Sequence, residues 1–202
     1  MFERYCEAAR RTLFYARYEI SLIGGPAIET EHLLLGLLRE TAGLTRGIFS
    51  TAKLSYDNAR AEIESAGSNR QKVATSVEIP FSADAARALQ YAVEEADSLQ
   101  HKDIGTEHLL LGILRVGDAV ATPLLWRYGL TLDGTRDQIR QLLADGLEPS
   151  WKAQRTHVMN PRDQIDAMKL QLRQFEPLAN AGAENLIARI VQELEDLKQF
   201  FN

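Results

Sequence analysis

The sequence predicts an all-α fold: two pseudo-twofold copies of one four-helix unit, followed by a C-terminal helical hairpin. Three observations predict it. The block Thr30-Glu31-His32-Leu33-Leu34-Leu35-Gly36-Leu37-Leu38-Arg39 returns as Thr106-Glu107-His108-Leu109-Leu110-Leu111-Gly112-Ile113-Leu114-Arg115, with one conservative change. Apolar residues recur at steps of three and four, the period of helices packed on one face. Only 6 Pro and 13 Gly occur in 202 residues, which suits helices better than a loop-rich β fold.

The same shift, without a gap, pairs Ala9 with Ala85, Leu13 with Leu89, Tyr15 with Tyr91, Ala16 with Ala92 and Glu19 with Glu95. Downstream it pairs Leu54 with Leu130, Asp57 with Asp133, Arg60 with Arg136 and Ile63 with Ile139. A colinear series of this kind is duplication rather than chance. The domain it defines covers residues 1–145, with repeats at about 1–64 and 77–143 and a polar linker at 65–76.

In each repeat the first helix buries a narrow stripe: Tyr5, Ala9, Leu13, Ala16 and Ile20, then Phe81, Ala85, Leu89, Ala92 and Ala96. Gly24-Gly25-Pro26 ends the first of these. Thr30 and Thr106 are expected to cap the second helices with their hydroxyls, with Glu31 and Glu107 favourably placed near the positive end of the helix dipole. Gly36 and Gly112 stand in the middle of those helices, where Gly costs about 1 kcal/mol relative to Ala. Its presence in both copies predicts a neighbouring helix packed directly on that backbone. Third helices are expected over Leu44 to Thr51 and Val120 to Tyr128, and fourth helices from near Ser55 and Thr131.

Past Ser150 the repeat stops. Asn160-Pro161 reads as a helix start, and Pro177 as its end. A last helix carries Ala183, Ile187, Ile190, Leu194, Leu197 and Phe201 in a heptad-like seam. Residues 150–202 are therefore expected to form a hairpin that closes on itself or the globular part, or that dimerises the chain or docks on a partner.

The net charge of −5 opposes binding to a phosphate backbone, so nucleic acid is an unfavourable partner. Cys6 is the single cysteine, which leaves no internal disulfide and no cysteine zinc cage. Charged residues crowd the first positions, where a signal peptide needs an apolar stretch, and a cytoplasmic, membrane-free protein is the expectation. No phosphate-binding Gly-rich loop with its Lys, no G-x-S-x-G elbow, no His-Glu-x-x-His and no Cys-x-x-Cys occurs. The chain is thus read as non-enzymatic, with no catalytic residues, no metal and no cofactor. His32 and His108 occupy equivalent places, which a twofold axis through a shared metal would require; local hydrogen bonding at a helix start is the simpler role. Cys6 near a helix N-terminus has a nucleophilic reading, set against Ser82 at the matching position, which indicates a small polar side chain instead. Arg4, Arg10, Arg11 and Arg17 read as a solvated face with i,i+4 pairing to Glu residues.

The repeated Thr-Glu-His block, the opening Met1-Phe2-Glu3-Arg4 and Ile79-Pro80-Phe81-Ser82 closely resemble the Clp N-terminal repeat domain of ClpA/ClpC-type unfoldases, over about residues 1 to 145. The resemblance implies a double four-helix repeat without chemistry of its own, which receives adaptors and client proteins for a AAA+ motor. The motor is absent from this sequence, so a stand-alone accessory protein of a Clp protease system is expected. The resemblance further implies phosphoarginine-binding residues, a hydroxyl at the start of the first helix and the Glu of Thr-Glu-His: Cys6 with Glu31, and Ser82 with Glu107. Cys6 departs from the hydroxyl, since a thiol is a weak donor. For both Glu residues, satisfying the helix N-terminus is an equally good account. Phe2 and Phe81, taken as matching positions, would anchor a partner if exposed and belong to the core if buried. The other reading is an assembly factor that docks on a Clp unfoldase or protease core through its C-terminal helices.

Overall fold

In the computed structural model the described residues are 3–40, 43–66, 79–149 and 181–199. They contain nine helices and no strand, as the sequence predicts. Two compact units divide the chain, Met1–Thr156 and His157–Asn202. The first holds α1 (Glu7–Ile23), α2 (Thr30–Arg39), α3 (Leu44–Thr51) and α4 (Tyr56–Ala66), then α5 (Ala83–Ser98), α6 (Thr106–Val116), α7 (Ala121–Arg127) and α8 (Leu132–Ala144). The second holds α9 (Ala181–Gln199). No single described helix is long and apolar enough to cross a membrane.

The duplicated Leu-rich block explains the layout. A helix apolar all round has no face for water and must lie in the middle. All of Thr30–Leu37 in α2 and nearly all of α6 are buried, and the other helices pack around this central pair. The mid-helix glycines behave as their duplication predicts. A Cβ on Gly36 would lie 2.4 Å from the Thr12 carbonyl oxygen and 3.0 Å from the Ala16 nitrogen. On Gly112 it would lie 2.2 Å from the Ala88 oxygen and 2.9 Å from the Ala92 nitrogen. Ala9, Ala16, Ala85, Ala88 and Ala92 line the opposing faces, so α1 on α2 and α5 on α6 meet almost backbone to backbone. Gly47 in α3 has nothing within 4 Å of its virtual Cβ. Gly47→Ala is therefore expected to raise stability by up to about 1 kcal/mol through helix propensity alone; a lower denaturation midpoint in urea would contradict this.

Two predicted caps are corrected. Thr30 and Thr106 are the first helical residues, not the caps, and Glu29 and Gly105 hold the cap positions. Their hydroxyls serve the junction between repeats instead. Thr30 Oγ1 accepts from the Ala121 N–H at 3.4 Å, and Thr45 Oγ1 lies 3.1 Å from Thr106 Oγ1. Arg4, before α1, and Arg11, on it, also differ from the i,i+4 expectation. Arg4 reaches Asp97 at 2.7 Å and Arg11 reaches the buried Glu40 at 2.8 Å, both across elements. Arg11 thus reaches a desolvated carboxylate on another element, whereas the Arg4–Asp97 pair is exposed on both sides.

The two lead-in segments of each repeat are exchanged with the other repeat. Tyr5 forms a parallel bridge with Ile104, through Cys6 N–H to the Ile104 oxygen (2.9 Å) and Ile104 N–H to the Arg4 oxygen (2.7 Å). Ile28 forms the same bridge with Phe81, through Ile28 N–H to Pro80 oxygen (2.8 Å) and Ser82 N–H to Ile28 oxygen (3.0 Å). Tyr5 and Phe81 are equivalent under the repeat, as are Ile28 and Ile104, so the pseudo-twofold is visible in these four bonds.

In the second unit α9 carries Ile187, Ile190 and Leu194 half-buried, with an exposed Arg189–Glu193 pair at 3.3 Å. The other helix of the expected hairpin lies outside the described residues.

Candidate functional site

The second helices begin where both repeats meet. Glu31 and Glu107 are the second residues of α2 and α6, and both are fully buried. His32 and His108, also fully buried, do the capping that the threonines do not. Glu29 N–H donates to His32 Nδ1 at 2.9 Å, and Gly105 N–H donates to His108 Nδ1 at 2.8 Å. Each imidazole thus accepts at Nδ1 and carries its proton on Nε2.

Around His108 this tautomer decides what the site can hold. His101, Glu107 and His108 bring one ligand atom each within 4.8 Å of one another, the spacing of a metal cluster, and His32 is not among them. A metal needs a lone pair on His108 Nε2, and that nitrogen is protonated while Nδ1 accepts the Gly105 amide. The Nε2 proton instead points at His101 Nδ1, 2.8 Å away, with the rings edge to face at 5.0 Å. Burial, and then the neighbouring His101, push the His108 pKa down to about 3, which keeps the ring neutral. The cluster is a hydrogen-bonded chain from backbone amide through two rings, and it does not suit a metal.

The lead-in exchange sets the backbone of the candidate binding residues beside the other repeat. The sequence reading put Cys6 with Glu31 and Ser82 with Glu107, each within one repeat. The bridges instead seat Cys6 beside Ile104, on the segment that leads into α6 and Glu107, and Ser82 beside Ile28, on the segment that leads into α2 and Glu31. Cys6 and Ser82 are true equivalents, with φ/ψ of −65/166° and −64/167°. Ser82 Oγ accepts the Ala85 N–H at 3.1 Å and caps α5, whereas Cys6 makes no side-chain cap bond to α1.

Phe81 is half-buried and packs on the core at its bridge to Ile28. Its equivalent is Tyr5, not Phe2 as supposed from sequence; Phe2 lies outside the described residues. Tyr5 is buried and donates its hydroxyl to the Leu89 oxygen at 3.2 Å, and burial raises its pKa to about 12.

Sequence reasoning missed a pocket of about 240 Å³ at the start of α2, lined by Gly25, Pro26, Glu29, Glu31, His32 and Val120. The signal was present in the departures between repeats, because Gly25 stands where repeat 2 has His101 and Glu29 where it has Gly105. A second missed feature is a buried carboxylate in each repeat. Glu19 pairs with Arg39 and receives the Tyr56 hydroxyl at 3.1 Å. Glu95 receives Arg136 at 2.6 Å and Arg115 at 3.3 Å. These are structural clasps between the first, second and fourth helices of each repeat, the fourth contributing Tyr56 in repeat 1 and Arg136 in repeat 2.

Comparison with known proteins agrees with this architecture. The Clp repeat (R) N-terminal domain family matches residues 5–128 and 80–158. The ClpA homologue of the ATP-dependent Clp protease ATP-binding subunit from Guillardia theta is 39% identical over 150 residues, which is 74% of this chain and 18% of that relative. The chain therefore spans less than a fifth of that relative's length. Among solved structures, the N-terminal domain of the Clp-associated chaperone ClpD from Arabidopsis thaliana is 27% identical with a TM-score of 0.56, covering 71% of this chain and 97% of that one. A ClpV N-domain in complex with a VipB peptide shares the fold at 18% identity and a TM-score of 0.55, covering 71% and 86%. With the duplicated Thr-Glu-His block at the centre of both repeats, this chain belongs to the Clp repeat N-terminal domain family.

Proposed function

We propose that the chain is a non-enzymatic protein-binding module of a Clp system, which receives adaptors or client proteins for a Clp unfoldase in the cytoplasm. The observation that carries this reading is the pair of lead-in junctions, where the start of the first helix of one repeat is bonded to the segment leading into the second helix, and its buried Glu, of the other. The ClpV relative solved with a bound peptide supports a protein ligand for the fold.

The finer part of the proposal is that the junctions read phosphorylated arginine. A carboxylate suits the guanidinium through a charge-assisted fork, and the amides of a helix N-terminus suit the phosphate. On this reading Glu31 works with the hydroxyl of Ser82 and Glu107 with the thiol of Cys6, a weaker donor, since the backbone bridges bring Ser82 and Cys6 to the segments that lead into α2 and α6. Glu31→Ala is therefore expected to weaken phosphoarginine binding about tenfold more than Glu107→Ala, the reverse of what the within-repeat pairing implies. Calorimetry on both variants checks it; no heat with the wild-type chain removes the phosphoarginine reading, and equal losses remove its asymmetry.

The assembly-factor reading rests on α9, whose Ile187, Ile190 and Leu194 remain partly exposed. Deleting residues 150–202 separates the two. Loss of Clp association with intact client binding points to docking by the C-terminal helices.

A further inference from the structure

We propose that the groove between α4 and α7 receives one aliphatic side chain, of leucine or isoleucine size, from a bound protein segment. This rests on the protein-binding reading above and adds to it a second place of contact, on helices other than those of the lead-in junctions.

The groove has a volume of about 350 Å³ and lies where the fourth helix of repeat 1 meets the third helix of repeat 2. Ile63 and Leu124, each 3% exposed, form its floor, and Ala66, Val120 and Pro123 form its exposed walls. The two charges at its mouth balance each other. Arg127 pairs with Glu62, and Glu62 also accepts the Tyr128 hydroxyl at 2.9 Å. A charged guest would have to break that pair, whereas a neutral aliphatic one meets only apolar walls.

The other copy of the same arrangement shows what fits. The repeat relates α7 to α3 and α4 to α8, and α3 packs on α8. Ala66 corresponds to Leu142, which packs against the core. Val120 corresponds to Leu44, which is 3% exposed where Val120 is 50% exposed. The chain thus supplies two leucines of its own at one interface and leaves an alanine and a half-exposed valine at the other. Pro123 stands in place of Gly47, and Trp126, 51% exposed on the same helix, in place of Ser50. Every departure of α7 from α3 on this side adds exposed apolar surface. Val120 also lines the pocket at the start of α2, so the groove is continuous with the candidate binding junction across a single residue.

The test is an NMR titration of the full chain with an acetylated, amidated pentapeptide that carries leucine between glycines, beside the same peptide with lysine or glutamate at its centre. Saturable shifts are expected at the Ile63, Ala66, Val120 and Leu124 amides with the leucine peptide alone. Ala66→Leu, which supplies from the chain what repeat 2 has in Leu142, is expected to weaken the leucine peptide about tenfold and to raise Tm by about 2 °C. Pro123→Asp, an exposed change in the first turn of α7 where a carboxylate suits the helix dipole, is expected to weaken it about tenfold as well. Absence of saturable shifts at these amides, equal binding of a charged peptide there, or an unchanged Kd in both folded variants overturns the proposal. Shifts at the same amides on raising the protein concentration alone would assign the groove to a second copy and equally overturn it. Phosphoarginine calorimetry on Ala66→Leu separates the groove from the junctions. Its heat is expected to match wild type while the leucine peptide is lost, and a groove that takes no peptide while that heat persists fails by itself.

Discussion

Gly112→Ala is expected to destabilise the protein by about 3 kcal/mol, although alanine is the better helix former by about 1 kcal/mol. The methyl group would sit 2.2 Å from the Ala88 carbonyl oxygen and 2.9 Å from the Ala92 nitrogen. Both are backbone atoms of α5, so no rotamer change relieves the clash, and the whole helix must move away from α6. That separation opens space around Leu89, Leu110 and Leu114, which adds a packing loss to the steric cost. For a chain of this size such a loss lowers Tm by roughly 10 °C. Gly36→Ala is expected to behave alike but more mildly, its virtual Cβ being 2.4 Å from the Thr12 oxygen. Thermal and urea unfolding of both variants beside Gly47→Ala checks the argument. Equal midpoints for Gly112→Ala and wild type would show that α5 and α6 do not pack this closely.

Glu95→Ala has the second largest expected effect, a loss of about 2–4 kcal/mol. The carboxylate is 3% exposed and takes both Arg136, through two bonds of 2.6 and 2.9 Å, and Arg115. Removing it leaves two partly buried guanidinium groups with only the more exposed Glu94 and Asp133 as counter-charges, which is the costly way to break a buried ion pair. The side chains of Arg115 and Arg136 are 33% and 25% exposed, so they relax toward water and the loss stays below that of a fully sealed charge. Arg136→Met is expected to cost less, since Arg115 continues to neutralise Glu95. The exposed Asp137–Arg140 pair is the contrast: Asp137→Ala is expected to leave the urea midpoint where it is. A Glu95→Ala midpoint no lower than that of Asp137→Ala would remove the idea that these clasps stabilise the repeats.

Much of the fold was legible because duplication repeats its own constraints. Gly36 and Gly112, each unfavourable in a helix, announced a close helix neighbour by appearing twice. The unbroken apolar runs of Leu33–Leu35 and Leu109–Leu111 lie in the central helices that the structure shows. The lead-in exchange was not legible. A repeat that pairs its segments internally and one that trades them with its twin have the same periodicity and the same apolar pattern. For that reason the bridges of Cys6 to Ile104 and of Ser82 to Ile28 had no signal in the sequence. Thr30 and Thr106 misled because a threonine before an apolar run is a good cap in isolation, and only the folded junction shows Ala121 and Thr45 using those hydroxyls. Glu19 and Glu95 looked like solvent-facing positions on their helices. Their burial was recoverable only from Arg39, Arg60, Arg115 and Arg136, which keep the same spacing to them in each copy.

The four hydrogen bonds between Arg4–Cys6 and Ile104, and between Pro80–Ser82 and Ile28, make each half the completion of the other. A chain severed between Ala66 and Ile79 would yield fragments that hold complementary edges and an unfinished interior, so they stay associated. One half produced by itself has no way to satisfy those edges except with a second molecule of the same half. The molecule thus keeps, within a single polypeptide, the geometry of a homodimer whose subunits were later joined end to end.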